Sequence, residues 1–152
     1  MQPAFFYLED QIENNFTKMD ELMRFVKCGS ILIAADNNSR SKAWHYLKTN
    51  SRGRKLEEYL ASKHLHVLNK ERGRSTFLNS RGSSNVDLTI TNNNLIAAVD
   101  EFEVSEEESL SDYNYLKYRI SEGGASKQNN DYTCQGTVFI IKEEKLHFSI
   151  EN

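Results

Sequence analysis

The sequence predicts an α/β domain, and three features carry that prediction. Residues 10–27 place Ile12, Phe16, Met19, Leu22, Met23 and Val26 at helical spacing with charged residues between them, the pattern of an amphipathic helix. Ser30-Ile31-Leu32-Ile33-Ala34-Ala35 then forms a short unbroken apolar run, which suits a buried strand. Further on, Val86, Leu88 and Ile90 alternate with Asp87 and Thr89, the period of a strand with two different faces. Helices early, strands gathered later and polar residues where strands end together make an α/β arrangement.

The remaining elements follow in order. Gly29 stops the first helix, and after the apolar run the chain turns abruptly polar at Asp36-Asn37-Asn38-Ser39-Arg40. A long polar loop holds the only tryptophan, Trp44. Leu56, Tyr59, Leu60 and Lys63 keep helical period and predict a second helix over residues 54–64. Residues 65–68 read as a strand, residues 76–78 as another, and Arg81-Gly82-Ser83-Ser84 as a turn. Residues 85–90, 102–104 and 115–120 complete the strands; in the last of these Leu116, Tyr118 and Ile120 share a face. A Gly/Ser/Asn-rich linker is expected over residues 121–136, and a mixed tail, strand or helix, over residues 137–152.

A chain of 152 residues holds one domain with a true core. It lacks an eighteen-residue apolar stretch and a basic-then-apolar leader, so no membrane span and no secretory signal are expected. Two widely separated cysteines, Cys28 and Cys134, form neither a disulfide framework nor a zinc motif, and a reducing intracellular compartment is the default. The net charge of −3 conceals a segregation. Residues 40–81 carry eleven Lys and Arg against three Glu, a net of +8, which leaves −11 for the rest. A basic middle suits a polyanion such as DNA, although a solvated basic surface has the same composition.

The residues able to carry chemistry are oxygen ligands and amides placed where strands end. Asp36 and Asn38 follow an apolar strand, Asp87 lies within the alternating one, and Asp112 precedes the strand that starts near 115. Such groups can converge on a phosphate and a divalent ion, since hard oxygen donors suit Mg2+. Taken singly, each also reads as a turn or cap: Asp36-Asn37-Asn38 as a turn, Asp87 as a loop cap, Ser111-Asp112 as a strand-initiating turn.

Taken in order, these residues resemble a known family. The run from Ile31 through Asp36-Asn37-Asn38-Ser39-Arg40-Ser41-Lys42-Ala43-Trp44 is similar to the GDFNA-H-S-x-x-W segment of retrotransposon endonucleases. Arg52-Gly53-Arg54-Lys55-Leu56 looks like their RG-x-x-L helix start, and Val67-Leu68-Asn69 with Ser75-Thr76-Phe77 like VLN…PTF. Arg81-Gly82-Ser83-Ser84-Asn85-Val86-Asp87-Leu88-Thr89 is similar to RGSS-x-IDLT, and Leu110-Ser111-Asp112-Tyr113 resembles LSDH in all but its last residue. The chain thus resembles the insect-like, LINE-type non-LTR retrotransposon branch of the endonuclease/exonuclease/phosphatase superfamily, over residues 5–120 and roughly the C-terminal half of that domain. The tail would begin the connector toward a reverse transcriptase.

The resemblance implies a DNase I-like four-layer α/β sandwich, of which this chain supplies part, and Mg2+-dependent nicking of target DNA. By that likeness Asp36 activates water or protonates the leaving oxygen, Asn38 positions the phosphate, and Asp87 holds the catalytic network. Thr76 and Ser111 line the phosphate site, Asp112 orients the following residue, and Arg40, Trp44 and Arg81 face DNA. Three departures bear on activity. The family's metal-binding Glu belongs to the N-terminal half and has no counterpart here, so the metal ligands are left unassigned. The family histidine is Tyr113, whose neutral phenol cannot supply an imidazolium's charge. Ala34 and Ala35 replace two glycines, and Asn37 replaces a phenylalanine. The expectation is a weak nuclease acting in the nucleus on DNA, self-associating or completed by the missing half because half a sandwich exposes apolar surface. The competing expectations are a non-catalytic nucleic-acid-binding remnant that uses residues 40–81, and a decayed reading frame.

Overall fold

The computed structural model describes residues 4–5, 11–26, 29–69, 74–80, 82–85, 87–107, 114–120 and 137–141, the first and last of these by their backbone. In chain order the elements are β1 (Ala4–Phe5), α1 (Ile12–Val26), β2 (Ile31–Asp36), α2 (Ser51–Ser62), β3 (Leu65–Val67) and β4 (Phe77–Asn79). They continue with β5 (Gly82–Ser84), β6 (Asp87–Asn92), α3 (Asn93–Ile96), β7 (Val99–Val104), β8 (Leu116–Ile120) and β9 (Thr137–Ile141).

The central sheet has the order β1-β9-β2-β6-β3. β2 is antiparallel to β6 and parallel to β9, and β3 is antiparallel to β6. The tail expected over residues 137–152 is therefore in part a strand, seated between β1 and β2. β2 and β6 are buried on both faces, as the unbroken apolar run of β2 requires. One face carries Ile31, Ile33, Ala35, Leu88 and Ile90 against Ile12, Met19 and Leu22 of α1 and Leu56, Tyr59 and Leu60 of α2. Ile33, Leu56, Leu88 and Ile90 are fully buried, each contributing about 1.5–3 kcal/mol. On the other face Leu32 packs with Leu95, Ala98, Val99, Tyr118 and Ile120. There α3 and the β7–β8 pair cover part of the surface that a half-sandwich was expected to leave bare.

Several boundaries depart from the sequence expectations: β7 begins at Val99 where 102 was expected, β4 is shifted by one residue to Phe77–Asn79, and three departures have a clear local cause or partner. The second helix starts at Ser51, not 54, because the Asn50 side chain accepts the Gly53 N–H as its cap. It stops at Ser62, with His64 in the left-handed region at φ 53°. Gly82–Ser84 is not a turn but a strand, paired antiparallel with β4. The strand expected over 85–90 runs instead as Asp87–Asn92, where Asn92 caps α3 and accepts the Ile31 N–H at 3.2 Å. The linker over 121–136 lies outside the described residues. Among the described residues no helix is long and apolar enough to cross a membrane.

Candidate active site

β2 ends at Asp36, and β6 begins at Asp87, its direct partner in the antiparallel register. Opposed residues of a ladder share a face, and their Cβ atoms lie about 4.5–5.5 Å apart. Both carboxylates therefore leave the sheet on the side away from α1 and α2. Asp36 is half-buried and Asp87 buried.

The turn after Asp36 is built by its own side chains. Asp36 Oδ1 accepts the Asn38 N–H at 3.0 Å, closing an Asx turn with Asn38 at φ 46°. Asn37, Ser39 and Ser41 are buried, whereas Asn38 and Arg40 are exposed. The buried residues anchor the loop: Asn37 Nδ2 donates to the Ala35 carbonyl at 3.1 Å, and Ser39 Oγ to the Asn37 carbonyl at 2.9 Å. The Arg40 guanidinium lies 6.0 Å from the centre of the Tyr46 ring. Asn38 thus meets solvent beside Asp36.

Asp87 is braced by its backbone. Its N–H donates to Thr76 Oγ1 at 3.2 Å, and its carbonyl accepts Asn69 Nδ2 at 2.9 Å. Asn69 Oδ1 in turn accepts the Thr89 N–H at 2.9 Å, so one amide continues the edge pairing where β3 has ended. Thr89 Oγ1 shares a 2.9 Å hydrogen bond with the Tyr118 hydroxyl. Burial pushes the Tyr118 phenol far above its ordinary range; the Thr89 hydrogen bond opposes that shift and the nearby Asp87 carboxylate adds to it.

Two expected contacts take a different place. Trp44, expected to face DNA, is only 1% exposed, and its Nε1 donates to the Ser39 carbonyl at 2.9 Å. It supports the loop from beneath. Thr76, expected to line the phosphate site, reaches Asp87 but is also buried, its Oγ1 donating to the Ser84 carbonyl at 3.4 Å. Ser111, Asp112, Tyr113 and Arg81 lie outside the described residues. Asn69 and Tyr118 were not singled out by sequence reasoning; the only prior signal for Asn69 was its place at the end of the VLN block.

The basic segment is not uniformly available to a partner. Lys55 pairs with Glu13, and Lys63 with Asp20 at 2.8 Å, both acids of α1. Arg74 donates to the Ser105 carbonyl at 3.1 Å. Lys42, Lys48 and Arg54 are exposed.

Among the described residues no three His, Cys, Asp or Glu side chains group to hold a metal ion. The Asp36–Asp87 pair still offers two hard carboxylates on one face, a donor set that fits Mg2+ when waters and phosphate oxygens complete its shell.

Comparison with known proteins identifies the family and the fold. The family model described as endonuclease-reverse transcriptase matches residues 3–117. Among solved structures, the endonuclease domain of TRAS1, a telomere-specific non-LTR retrotransposon, superposes with a TM-score of 0.62 at 28% sequence identity. The match covers 71% of this chain and 50% of that one, so the chain spans half the length of the domain it matches. The α/β fold expected from the sequence is thus the fold of that endonuclease domain. No curated protein matches.

Proposed function

Since the chain belongs to the endonuclease-reverse transcriptase family, we propose that it carries part of a DNA-nicking site centred on Asp36, Asn38 and Asp87. The observation that supports this most is the register that opposes Asp36 to Asp87 beside the Asn38 turn. The reaction is hydrolysis of a phosphodiester in target DNA. As the water oxygen bonds to phosphorus and the P–O3′ bond breaks, Asp36 either takes the water's proton, with solvent protonating O3′, or, in its protonated form, gives its proton to O3′ while solvent takes the water's; the products are a 3′-hydroxyl and a 5′-phosphate. The Asn38 amide, exposed beside it, holds a phosphate oxygen by hydrogen bonding. Asp87, fixed through Thr76 and Asn69, holds the network's negative charge in place. Asp36 and Asp87 are the residues that would hold Mg2+, which would supply charge neutralisation at the transferring group.

The site is slow as it stands. Where the family has an imidazolium next to the phosphorane, Tyr113 offers one neutral donor, and the charge stabilisation of that position is lost. A second reading rests on the exposed Lys42, Lys48 and Arg54: a DNA-binding surface that works without cleavage.

The test is nicking of supercoiled plasmid by the purified chain in Mg2+, in nuclear-like salt, with EDTA and Asp36→Ala as controls. Slow nicking that both controls abolish, and that leaves ends extendable by a polymerase, supports the proposal. Salt-dependent binding with no nicking at any protein concentration favours the DNA-binding reading.

A further inference from the structure

One cation of the basic segment is already committed inside the fold. Arg52, in the first turn of α2, is half-buried, and its Nε donates to the Asn37 carbonyl at 2.7 Å. The same carbonyl accepts Ser39 Oγ at 2.9 Å. Trp44 Nε1 holds the next anchoring carbonyl, that of Ser39, at 2.9 Å. Asn50 then grips Arg40 from both sides: its Oδ1 accepts the Arg40 N–H at 3.2 Å, and its N–H donates to the Arg40 carbonyl at 2.9 Å. The segment from Trp44 to Gly53 thus holds the backbone of residues 37, 39 and 40 from below, while Asn38 between them stays exposed at φ 46°.

That conformation explains why so many donors converge. A left-handed residue other than glycine persists where its neighbours over-determine it. Arginine suits the task better than lysine, because its planar guanidinium presents Nε–H in a fixed direction, whereas an ammonium is a flexible point charge. A phosphate contact has different requirements: exposure and charge, both of which Arg54, two residues on, has.

We propose that Arg52 is a positioning residue for the Asp36–Asn38 turn and not a contact to DNA phosphate. It acts through the Asn37 carbonyl, fixing the turn that presents Asn38. The proposal rests on the reading above only in calling this turn catalytic; the geometry it asserts is independent of cleavage.

Trp44 is the only tryptophan, so its indole N–H gives a single resonance that reports on the Ser39 carbonyl, the group next in line after the one Arg52 holds. Hydrogen exchange of that N–H is measured in the full chain for wild type, Arg52→Ala, Arg52→Lys and Arg54→Ala, with the amides of Ile33 and Ile90 as ladder controls. The salt dependence of binding to a DNA duplex is recorded for the same proteins. Both Arg52 variants are expected to speed indole exchange at least tenfold, leave the ladder amides unchanged and leave the salt slope of binding unchanged. Arg54→Ala is expected to do the reverse, lowering that slope by about 0.9 with the indole unaffected. Wild-type indole exchange in Arg52→Ala overturns the proposal. So does a loss of salt slope equal to that of Arg54→Ala, or a uniform acceleration of ladder and indole alike in both Arg52 variants. None of these readouts needs nicking, so a chain that never cleaves DNA refutes the proposed function and leaves this inference to stand or fall by itself.

Discussion

Asp36 and Asp87 face each other as direct partners across the β2–β6 ladder, two carboxylates on one face at the end of a pair of strands buried on both faces. Like charges directly opposed across a ladder destabilise a sheet. Asp36→Asn keeps an oxygen that can accept the Asn38 N–H and removes one charge. Denaturant unfolding is expected to show the variant more stable by about 0.5 kcal/mol, while plasmid nicking drops below detection. A site selected for chemistry at the expense of stability behaves this way.

The burial of Trp44 makes its contribution one of stability, which can be measured. Trp44→Phe keeps most of the buried ring but leaves the Ser39 carbonyl without its indole donor. Loss of about 1–3 kcal/mol in unfolding free energy is expected, with affinity for a DNA duplex within twofold of wild type at fixed salt. A large affinity loss in a protein of unchanged stability would restore Trp44 to the DNA-contacting surface.

Gly53 is a close-approach glycine inside a helix. A Cβ built there would lie 1.9 Å from the Arg40 carbonyl oxygen. Alanine is the better helix former by about 1 kcal/mol, yet the clash is with backbone and one partner must move. Gly53→Ala is expected to lower stability by about 1–3 kcal/mol. Arg54→Ala, on the exposed side of the same helix, is expected to stay within about 0.5 kcal/mol of wild type. Thermal unfolding of the two variants side by side decides it.

Tyr59 predicts a loss of stability in alkali. Burial, and then its 2.8 Å hydrogen bond to Asp20 Oδ1, push its phenol far above the ordinary value of 10. A folded-state pKa raised in this way contributes stability that is complete below the unfolded value and is lost as pH rises beyond it. Above about pH 10 the unfolded chain releases this proton while the folded chain retains it. Unfolding free energy is therefore expected to fall from pH 10 upward, and less steeply in Tyr59→Phe, which keeps the ring stacked on Phe16 with centroids 4.2 Å apart. Identical slopes in the two proteins would place the titration elsewhere.

What the sequence revealed and concealed follows from the range of each interaction. α1 and β2 announce themselves through apolar spacing, a local property read residue by residue. Asp36 and Asn38 were legible because the abrupt change from Ala35 to Asp36 marks a strand end. α2 begins three residues before its apolar period does, because its capping signal is a single Asn and polar loops contain many. The strand nature of Gly82–Ser84 was hidden by composition, since Gly and Ser are turn residues until a partner strand claims them. Trp44 and Arg52 were harder still: whether an aromatic or a cation points to solvent or into a loop depends on contacts that no local pattern encodes. The insertion of β9 between β1 and β2 joins segments more than 100 residues apart, and no spacing rule reaches that far.

The proposed nicking reaction is expected to be limited by Tyr113. Its most direct test is the single-turnover nicking rate of wild type and Tyr113→His, each also carrying Asp36→Ala as a control, in Mg2+ at near-neutral pH. A rise of at least tenfold on restoring the imidazole is expected, with DNA affinity unchanged and the gain abolished by Asp36→Ala. An unchanged rate in Tyr113→His, or nicking that survives loss of Asp36, would contradict it.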